Sequence, residues 1–315
     1  MSIVLSNIDL EEAAIPANIR VVRIGVHNLR KYHENNEVIA IVGSRAMAIK
    51  AAKMRFPGLK LFQLTSAGFD EVPIIEYRDK GIAVANAGGF VYSAPIAETV
   101  ILALLLMAKR LHRNPNNRHV KIQRRYEVTI SEIVGKHILI LGTGNIGTAV
   151  ARRLQGFEAV VDGYNRSNRV KPEYGRILSR RQELIEHIGE YDYIISTLPA
   201  SAETKGFIDS ELLKRMSSNA VVVNVGRMAV FNEDDLYFFL KKHFINGAVL
   251  DMFEKLPNPI TNRFRRLSNV IVMPGVSAVS GEVKERLKKH VIQNILAVAS
   301  GQNISNVVNG VTASE

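Results

Sequence analysis

Three glycines at a fixed spacing are the residues of this chain that point most directly to chemistry. They form a G-x-G-x-x-G pattern directly after His137 to Leu141, an apolar run of strand length. Such glycines permit a tight turn, a close approach of backbone to a pyrophosphate and close packing of a helix on a strand. The helix that follows offers free N–H groups and a partial positive charge to phosphates. The segment therefore predicts a dinucleotide site rather than a plain structural turn. The predicted cofactor contacts in it are Gly142, Gly144, Asn145, Ile146 and Gly147.

The end of the next strand should meet the adenosine ribose, and two interpretations of it compete. Asp162 lies at about the spacing at which an acidic residue binds the ribose hydroxyls of NAD. However, it falls inside the apolar run from Ala159 to Tyr164. The run ends at Asn165-Arg166-Ser167, where an arginine flanked by neutral donors suits a 2′-phosphate. The residues therefore favour NADP over NAD, with Asn165, Arg166 and Ser167 as contacts; the alternative is that Arg166 is only a solvated loop residue.

Composition narrows the class of protein. The chain has 315 residues, 47% of them hydrophobic, so two domains with ample cores are expected. It contains no cysteine, which excludes disulfides, thiolate metal sites and thiol catalysis. No metal site is predicted. The N-terminus does not resemble a signal peptide, and the longest apolar run, Val100 to Ala108, is too short to span a bilayer. We therefore expect a soluble, cytoplasmic protein that does not associate with membranes.

The formal net charge of +11 includes one dense basic stretch, Lys109 to Arg125. No aromatic residue lies within this stretch to stack on a base, and no DNA-binding motif is readable. A solvated or subunit-facing segment is the better interpretation, so no nucleic-acid partner is predicted. A positive balance also suits an anionic cofactor and a carboxylate substrate.

Strand-like and helix-like segments alternate along the chain, which predicts an α/β protein with parallel sheets covered by helices. The predicted strands of the first half are Ile3–Leu5, Val21–Gly25, Val38–Val42, Lys60–Leu64 and Ile82–Ala85. Those of the second half are His137–Leu141, Ala159–Tyr164, Tyr193–Ser196, Ala220–Val225, Gly247–Leu250 and Val270–Met273. Long helices are predicted at Ala94–His112 and Glu282–Ala299, and a shorter helix begins at Asn232.

Several of these segments, in this order, resemble the D-isomer-specific 2-hydroxyacid dehydrogenase family over nearly the whole chain. The segments that carry the resemblance are Thr65–Asp70, Ala97-Glu98, Gly142–Gly147, Ser196–Pro199 with Thr204–Gly206, Val223–Arg227, Leu250–Glu254 and Val272–Pro274. The resemblance implies two Rossmann-like, doubly wound domains with a cleft between them. It places a substrate domain at 1–97 plus 281–315 and a dinucleotide-binding domain at 98–280. It also implies a homodimer that pairs through the cofactor domain.

The same resemblance implies roles for individual residues. Arg227 would anchor and polarise a 2-oxo carboxylate, since a guanidinium grips a carboxylate at two points. The loop Ser66-Ala67-Gly68 would add backbone N–H donors, and Asp251 would hold the nicotinamide carboxamide. Further implied cofactor contacts are Leu198, Pro199, Thr204, Val225 and Gly226.

The family's proton-transfer pair has no counterpart in this chain. Gly275 stands where the family has histidine, and Leu256 stands where it has that histidine's carboxylate partner. Glu254 lies two residues early, and the next histidine, His290, lies well into the last helix. Three substitutes are conceivable: Tyr92 from the substrate domain, a water oriented by Ser277, or solvent that enters beside Gly275. Met228 also departs from the family, which usually has glycine after the arginine.

Two functions therefore remain open. The favoured one is an NADPH-dependent reductase of a small 2-oxo carboxylic acid (or oxidoreductase of the matching 2-hydroxy acid) with an atypical proton donor. The alternative is an NADP(H)-binding pseudoenzyme that acts as a sensor or regulatory partner. Positioned acid–base catalysis is typically worth about 100- to 10,000-fold in rate, so its loss slows the family reaction without removing Arg227 or the cofactor site.

Overall fold

The computed structural model describes residues 1–10, 14–111, 130–251 and 263–312. The chain forms two compact units, Met1–Tyr92 with Ser280–Glu315, and Ser93–Val279. The sequence places its domain boundaries at 97/98 and 280/281, a few residues away. Most of the basic stretch Lys109–Arg125, as well as Glu254 and Leu256, lies outside the described residues.

The first unit is built on a five-stranded parallel sheet in the order β2-β1-β3-β4-β5. Its strands are β1 Ser2–Ser6, β2 Ile19–Arg23, β3 Val38–Gly43, β4 Leu61–Leu64 and β5 Ala83–Ala85. Its helices are α1 Arg45–Ala52, α2 Ile74–Asp79, the start of α3 Gly89–Ala108, and α8 Gly281–Ala299. The strand order reverses at β1, which makes the sheet doubly wound and puts helices on both of its faces.

Neighbouring strand residues of the first unit contribute to two different cores. Leu5, Ile41 and Phe62 belong to one apolar cluster, whereas Val4 and Val42 belong to another that includes α8 residues. Because successive side chains of a strand point to opposite faces, this alternation shows that both faces of the sheet are buried. It explains why these strands read as continuous apolar runs.

The second unit is built on a seven-stranded parallel sheet in the order β12-β11-β10-β9-β6-β7-β8. Its strands are β6 His137–Leu141, β7 Val160–Tyr164, β8 Ile177–Leu178, β9 Tyr193–Ser196, β10 Val221–Asn224, β11 Gly247–Leu250 and β12 Val270–Val272. Its helices are the remainder of α3, α4 Asn145–Gln155, α5 Arg181–His187, α6 Ser210–Arg215 and α7 Glu233–Lys241. The strand order reverses between β6 and β9, so this sheet is also doubly wound. The predicted fold, two Rossmann-like doubly wound α/β units, is thereby confirmed.

The register of this sheet aligns the carboxyl ends of its strands. Leu141 is opposite Tyr164 on one side and Ser196 on the other, and Ser196 is opposite Asn224. Asn224 is in turn opposite Leu250. Every loop that leaves these strands therefore begins at one edge of the sheet, which is where ligands bind in open α/β folds.

The main error of the sequence prediction concerns the long helix. It begins at Gly89 rather than Ala94, so Tyr92 lies within the helix, and it ends at Ala108. The largely apolar helix is consequently longer than the run from Val100 to Ala108, which by itself is too short to span a bilayer. By length and composition alone, α3 is long and apolar enough to cross a membrane, and core helices of soluble proteins pass the same test. Among the described residues it is the one helix that passes this test.

Candidate functional site at the carboxyl edge of the larger sheet

The glycine loop has the backbone geometry that its spacing predicts. Gly142 has a φ of +99°, a left-handed conformation that favours glycine. A Cβ on Gly147 would lie 2.0 Å from the Gly142 carbonyl oxygen, so this glycine lets α4 pack closely on the turn. A Cβ on Gly144 would meet nothing within 4 Å, and no side chain caps the first turn of α4. The N–H groups of this turn thus face open space, which fits the phosphates of a dinucleotide.

The carboxylate of Asp162 is already bound by neighbouring groups of the chain. It is 6% exposed and accepts hydrogen bonds from the Arg176 backbone N–H (2.9 Å), the Arg176 Nε (3.2 Å) and the Tyr191 hydroxyl (2.8 Å). Burial and the Asp162 carboxylate raise the pKa of Tyr191, which therefore remains a hydrogen-bond donor. Asp162 is thus a core residue that ties β7 to later segments of the unit.

The turn after β7 instead carries neutral donors and basic side chains. The Asn165 Nδ2 donates to Thr143 Oγ1 in the glycine loop (2.9 Å), and the Ser167 hydroxyl donates to Asn165 Oδ1 (3.1 Å). Arg166 pairs with Glu203 at 3.0 Å, and both side chains are about two-thirds exposed (67% and 64%). Hydrogen bonds from Ser201 and Arg166 lower the pKa of Glu203, so this carboxylate stays ionised. Glu203 therefore competes for the arginine that the sequence assigns to a phosphate.

The loops after β9 and β10 lie against each other. A Cβ on Gly226 would come within 2.4 Å of the Leu198 carbonyl oxygen, and the Val225 and Gly226 N–H groups both donate to the Ser196 carbonyl (3.1 Å each). Thr204 closes the next turn by donating its hydroxyl to the Pro199 carbonyl (2.6 Å). These contacts bring together five of the predicted cofactor contacts: Leu198, Pro199, Thr204, Val225 and Gly226.

Arg227 follows Gly226 in the loop after β10, three residues beyond the end of the strand. Its side chain is partly buried, and Nη1 donates to the Gly226 carbonyl (3.3 Å). Asn224 shapes this loop: its Nδ2 donates to the Arg227 carbonyl (3.2 Å), and its Oδ1 accepts from the Gly226 N–H (3.1 Å). The arginine therefore projects from a braced turn rather than from a mobile surface loop.

Asp251, directly after β11, holds the loop that follows β12. It is 1% exposed; its Oδ1 accepts from the Gly275 N–H (3.0 Å) and the Val276 N–H (3.2 Å), and its Oδ2 accepts from the Ser277 hydroxyl. This carboxylate is a clamp on residues 275–277. Its predicted contact with a nicotinamide carboxamide stays a prediction.

The predicted substrate contacts Ser66, Ala67, Gly68 and Tyr92 belong to the first unit. Their loop leaves β4, and its carbonyl groups are occupied: Ala67 accepts from Asn86 Nδ2 (2.7 Å), and Gly68 accepts from the Ser66 hydroxyl (2.7 Å). The Tyr92 hydroxyl donates to the Thr65 carbonyl (2.5 Å). Within the described part of the chain, the backbone N–H groups of Ser66, Ala67 and Gly68 have no acceptor, so they remain available to an anion.

Comparison with known proteins now places the chain. Residues 99–277, more than half of it, match the family described as "D-isomer specific 2-hydroxyacid dehydrogenase, NAD binding domain". Glyoxylate reductase of Korarchaeum cryptofilum is 30% identical over 262 residues, which cover 80% of this chain and 77% of that protein. The chain belongs to the D-isomer-specific 2-hydroxyacid dehydrogenase family.

Solved structures of this type share the fold at lower identity. An NADPH-dependent glyoxylate/hydroxypyruvate reductase from Sinorhizobium meliloti, solved with NADP and malonate, has a TM-score of 0.78 at 23% identity, covering 99% of this chain and 98% of that one. An acyclic imino acid reductase, solved with NADPH and D-Arg, has a TM-score of 0.79 at 23% identity, covering 98% of this chain and 100% of that one.

The dehydrogenase has a distinctive backbone where the sequence lacks the expected histidine. Gly275 has a φ of +74°, and a Cβ built on it would meet nothing within 4 Å. Space is therefore available for a side chain, but the left-handed conformation penalises any residue other than glycine. The loop thus adopts a backbone conformation that suits glycine at position 275. The nearby Ser277 hydroxyl donates its proton to Asp251.

The other candidate donors are also engaged. Burial raises the pKa of Tyr92 to about 12, and its proton is shared with the Thr65 carbonyl. His290 is 3% exposed, its Nε2 bonds the Asn86 carbonyl (3.0 Å), and burial lowers its pKa. His290 is thus a neutral core residue, as its place in the last helix suggests. Tyr92 braces the substrate loop in this structure.

One basic residue at the cofactor edge escaped sequence reasoning. Lys171 donates from Nζ to the Thr143 carbonyl (2.6 Å) and to Thr148 Oγ1 (2.9 Å), directly above the start of α4. It lies seven residues beyond the end of β7, outside any recognised motif. The one available signal was the presence of three basic residues, Arg166, Arg169 and Lys171, within six positions.

Proposed function

We propose that this dehydrogenase is an NADPH-dependent reductase of a small 2-oxo carboxylic acid, with Arg227 as the carboxylate anchor. The observation that carries the proposal is the arrangement at the carboxyl edge: a glycine loop open to phosphates, a turn of donors and cations after β7, and a braced arginine after β10. The Korarchaeum relative, a glyoxylate reductase, supports a small 2-oxo acid as the substrate.

The NADP preference is supported by the environment of Asp162. An acidic residue that binds ribose hydroxyls must point out of the sheet edge, whereas this one is buried and bonded to Arg176 and Tyr191. The turn from Asn165 to Ser167 then meets the ribose without a carboxylate of its own. When bound, the cofactor supplies a hydride to the substrate carbon.

The chain's own residues would orient the substrate. Arg227, held by Asn224, would bind the substrate carboxylate at two points. The proton that completes reduction of a ketone would come from solvent, because Ser277 and Tyr92 hold theirs in internal hydrogen bonds. Reduction should therefore be slow compared with relatives that carry a positioned acid, by up to about 100- to 10,000-fold.

The test is oxidation of NADPH with glyoxylate and with hydroxypyruvate, comparing the wild type with Arg227→Ala and Arg227→Lys. Arg20→Ala, an exposed arginine on β2, is the matched control. We expect Arg227→Ala to lower kcat/KM at least 100-fold and the lysine variant to recover only part of it, since lysine lacks the planar fork. Equal turnover in Arg227→Ala and Arg20→Ala would remove Arg227 from the mechanism. NADPH binding without turnover of any 2-oxo acid would instead favour the pseudoenzyme.

A second substrate class is favoured by Gly275. A protonated 2-imino acid already carries the proton that a ketone must acquire, so its reduction needs no donor from the chain. The structurally similar imino acid reductase, bound to NADPH and D-Arg, makes this class worth testing. Addition of ammonium or methylamine to the 2-oxo acid assays would raise the rate of NADPH oxidation if imines are the better substrates, and would leave it unchanged if they are not.

The proposal includes a homodimer. Helix α3 is apolar and leaves Leu102 51% exposed, so it offers a surface that a second copy would cover. Light scattering coupled to size-exclusion chromatography should give twice the chain mass of 35.0 kDa. A monomer mass at micromolar concentration would contradict this part of the proposal.

A further inference from the structure

Lys171 is a cation held at the glycine loop, where it would meet a bound anion. Its ammonium group bonds Thr143 in the glycine loop and Thr148 in the first turns of α4. A helix N-terminus carries a partial positive charge, and α4 has neither a side-chain cap nor an acidic residue in its first turn. A cation here adds its charge to that of the helix N-terminus, and together they favour a bound anion.

The described residues offer Lys171 no carboxylate partner within ion-pairing distance. Glu173, two residues away, gives its carboxylate to Arg152 at 2.8 Å, although Lys171 helps to lower the pKa of Glu173. Arg166, on the same turn, is neutralised by Glu203. Lys171 therefore remains the partly buried cation of this turn, and its two hydrogen bonds fix its position.

A buried hydroxyl beside Lys171 shows that this group of side chains is incompletely satisfied. Tyr174 is 7% exposed, and its hydroxyl has no hydrogen-bond partner within the described ranges. Thr148, which now accepts from Lys171, lies next to this hydroxyl and partly offsets the effect of burial, which raises the pKa of Tyr174 to about 12. Lys171 and Tyr174 both lie against the Thr148 hydroxyl, which itself donates to the Thr143 carbonyl (3.3 Å).

The position of the lysine indicates which part of the cofactor it would meet. Thr143, whose carbonyl binds Lys171, also binds Asn165 through its hydroxyl (2.9 Å). Asn165 is the first residue beyond β7, where this fold places the adenosine ribose. We propose that Lys171 is a specificity-determining residue that binds the 2′-phosphate of NADP, with Arg166 and its competitor Glu203 in a secondary role. This inference rests on the proposed NADPH-binding function.

The experiment is calorimetric titration of the whole protein with NADPH, NADH, adenosine 2′,5′-bisphosphate and 5′-AMP. The variants are Lys171→Met and Lys171→Arg. Lys136→Met is the control, because Lys136 is also partly buried but pairs with Asp192 at the opposite edge of the same sheet. Loss of one charge-assisted contact to phosphate predicts that Lys171→Met weakens NADPH and the bisphosphate about 10- to 100-fold. NADH and 5′-AMP should change less than twofold, and Lys171→Arg should retain most of the NADPH affinity.

Other outcomes would overturn the inference. Equal weakening of NADPH and NADH by Lys171→Met would mean that the lysine holds the glycine loop or meets the pyrophosphate. Unchanged binding of all four ligands would mean that it meets no phosphate at all. In both cases tight binding of NADPH by the wild type would leave the proposed function intact. If the wild type bound neither NADPH nor NADH, both the proposed function and the role of Lys171 would be wrong.

Discussion

Replacement of Asp162 by alanine separates a structural role of this carboxylate from a role in cofactor binding. The variant leaves two buried donors, the Arg176 backbone N–H and the Tyr191 hydroxyl, without an acceptor. Each unsatisfied buried donor costs about 1–3 kcal/mol. The Arg176 guanidinium is 39% exposed and also contacts Glu190, so the loss of its ion pair with Asp162 adds little to the change in the free energy of unfolding. We expect the free energy of unfolding to fall by about 3 kcal/mol in total.

For a unit of this size, 1 kcal/mol corresponds to about 2–4 °C in Tm, so differential scanning calorimetry should show a decrease of about 6–12 °C. Asp162→Asn keeps one acceptor oxygen and should cost less. At a temperature where both variants are folded, the ratio of NADPH to NADH affinity should match the wild type. A Tm within 1 °C of the wild type, together with a tenfold loss of NADH affinity alone, would refute the reasoning and make Asp162 a ribose ligand.

Three further changes follow from contacts at the two sites. Glu203→Gln frees Arg166 from an exposed ion pair, so calorimetry should show NADPH binding tighter by about 1.5- to 5-fold and NADH binding unchanged. Weaker NADPH binding would show that Glu203 positions the arginine. Tyr92→Phe removes one hydrogen bond to the substrate loop, so steady-state kinetics should show KM raised by about 2- to 10-fold, with little change in kcat or its pH profile. A fall in kcat of about 100-fold would instead identify Tyr92 as the proton donor. Gly275→Ala and Gly275→His force a left-handed conformation on a residue with a Cβ, so each should lower the free energy of unfolding by about 1–2 kcal/mol in denaturant titrations. The histidine should not restore fast turnover. A histidine variant that is as stable as the wild type and turns over faster would contradict the account of this loop.

The sheet was predictable where apolar runs are sharply bounded. The predicted bounds of β6, β9 and β11 agree with the structure because polar residues or glycine flank each buried run. The start of α3 was not predictable, because Gly89 argues against helix and Pro95 is typical of a first helical turn, yet the helix begins at Gly89 and continues through Pro95. Strand β8 has only two residues, too few for a periodicity to appear.

The sequence indicated which segments meet at the carboxyl edge of the larger sheet, but not how their side chains pair. The glycine spacing located the turn, and the register of the sheet places the other predicted cofactor contacts at the same edge. The partners of Asp162 lie 14 and 29 residues away, and those of Asp251 lie 24 to 26 residues away, so no local pattern reveals that these carboxylates are already bound. Lys171 was missed for the same reason, since its partners lie 23 and 28 residues earlier.

The central claim is that this dehydrogenase is built for NADPH, and calorimetric titration of the unmodified protein with NADPH and NADH tests it most directly. With at least one charge-assisted contact to the 2′-phosphate and no carboxylate free at the ribose, NADPH should bind at least tenfold more tightly than NADH. Equal affinities, or a preference for NADH, would contradict the assignment of the turn after β7 and of Lys171 to the 2′-phosphate.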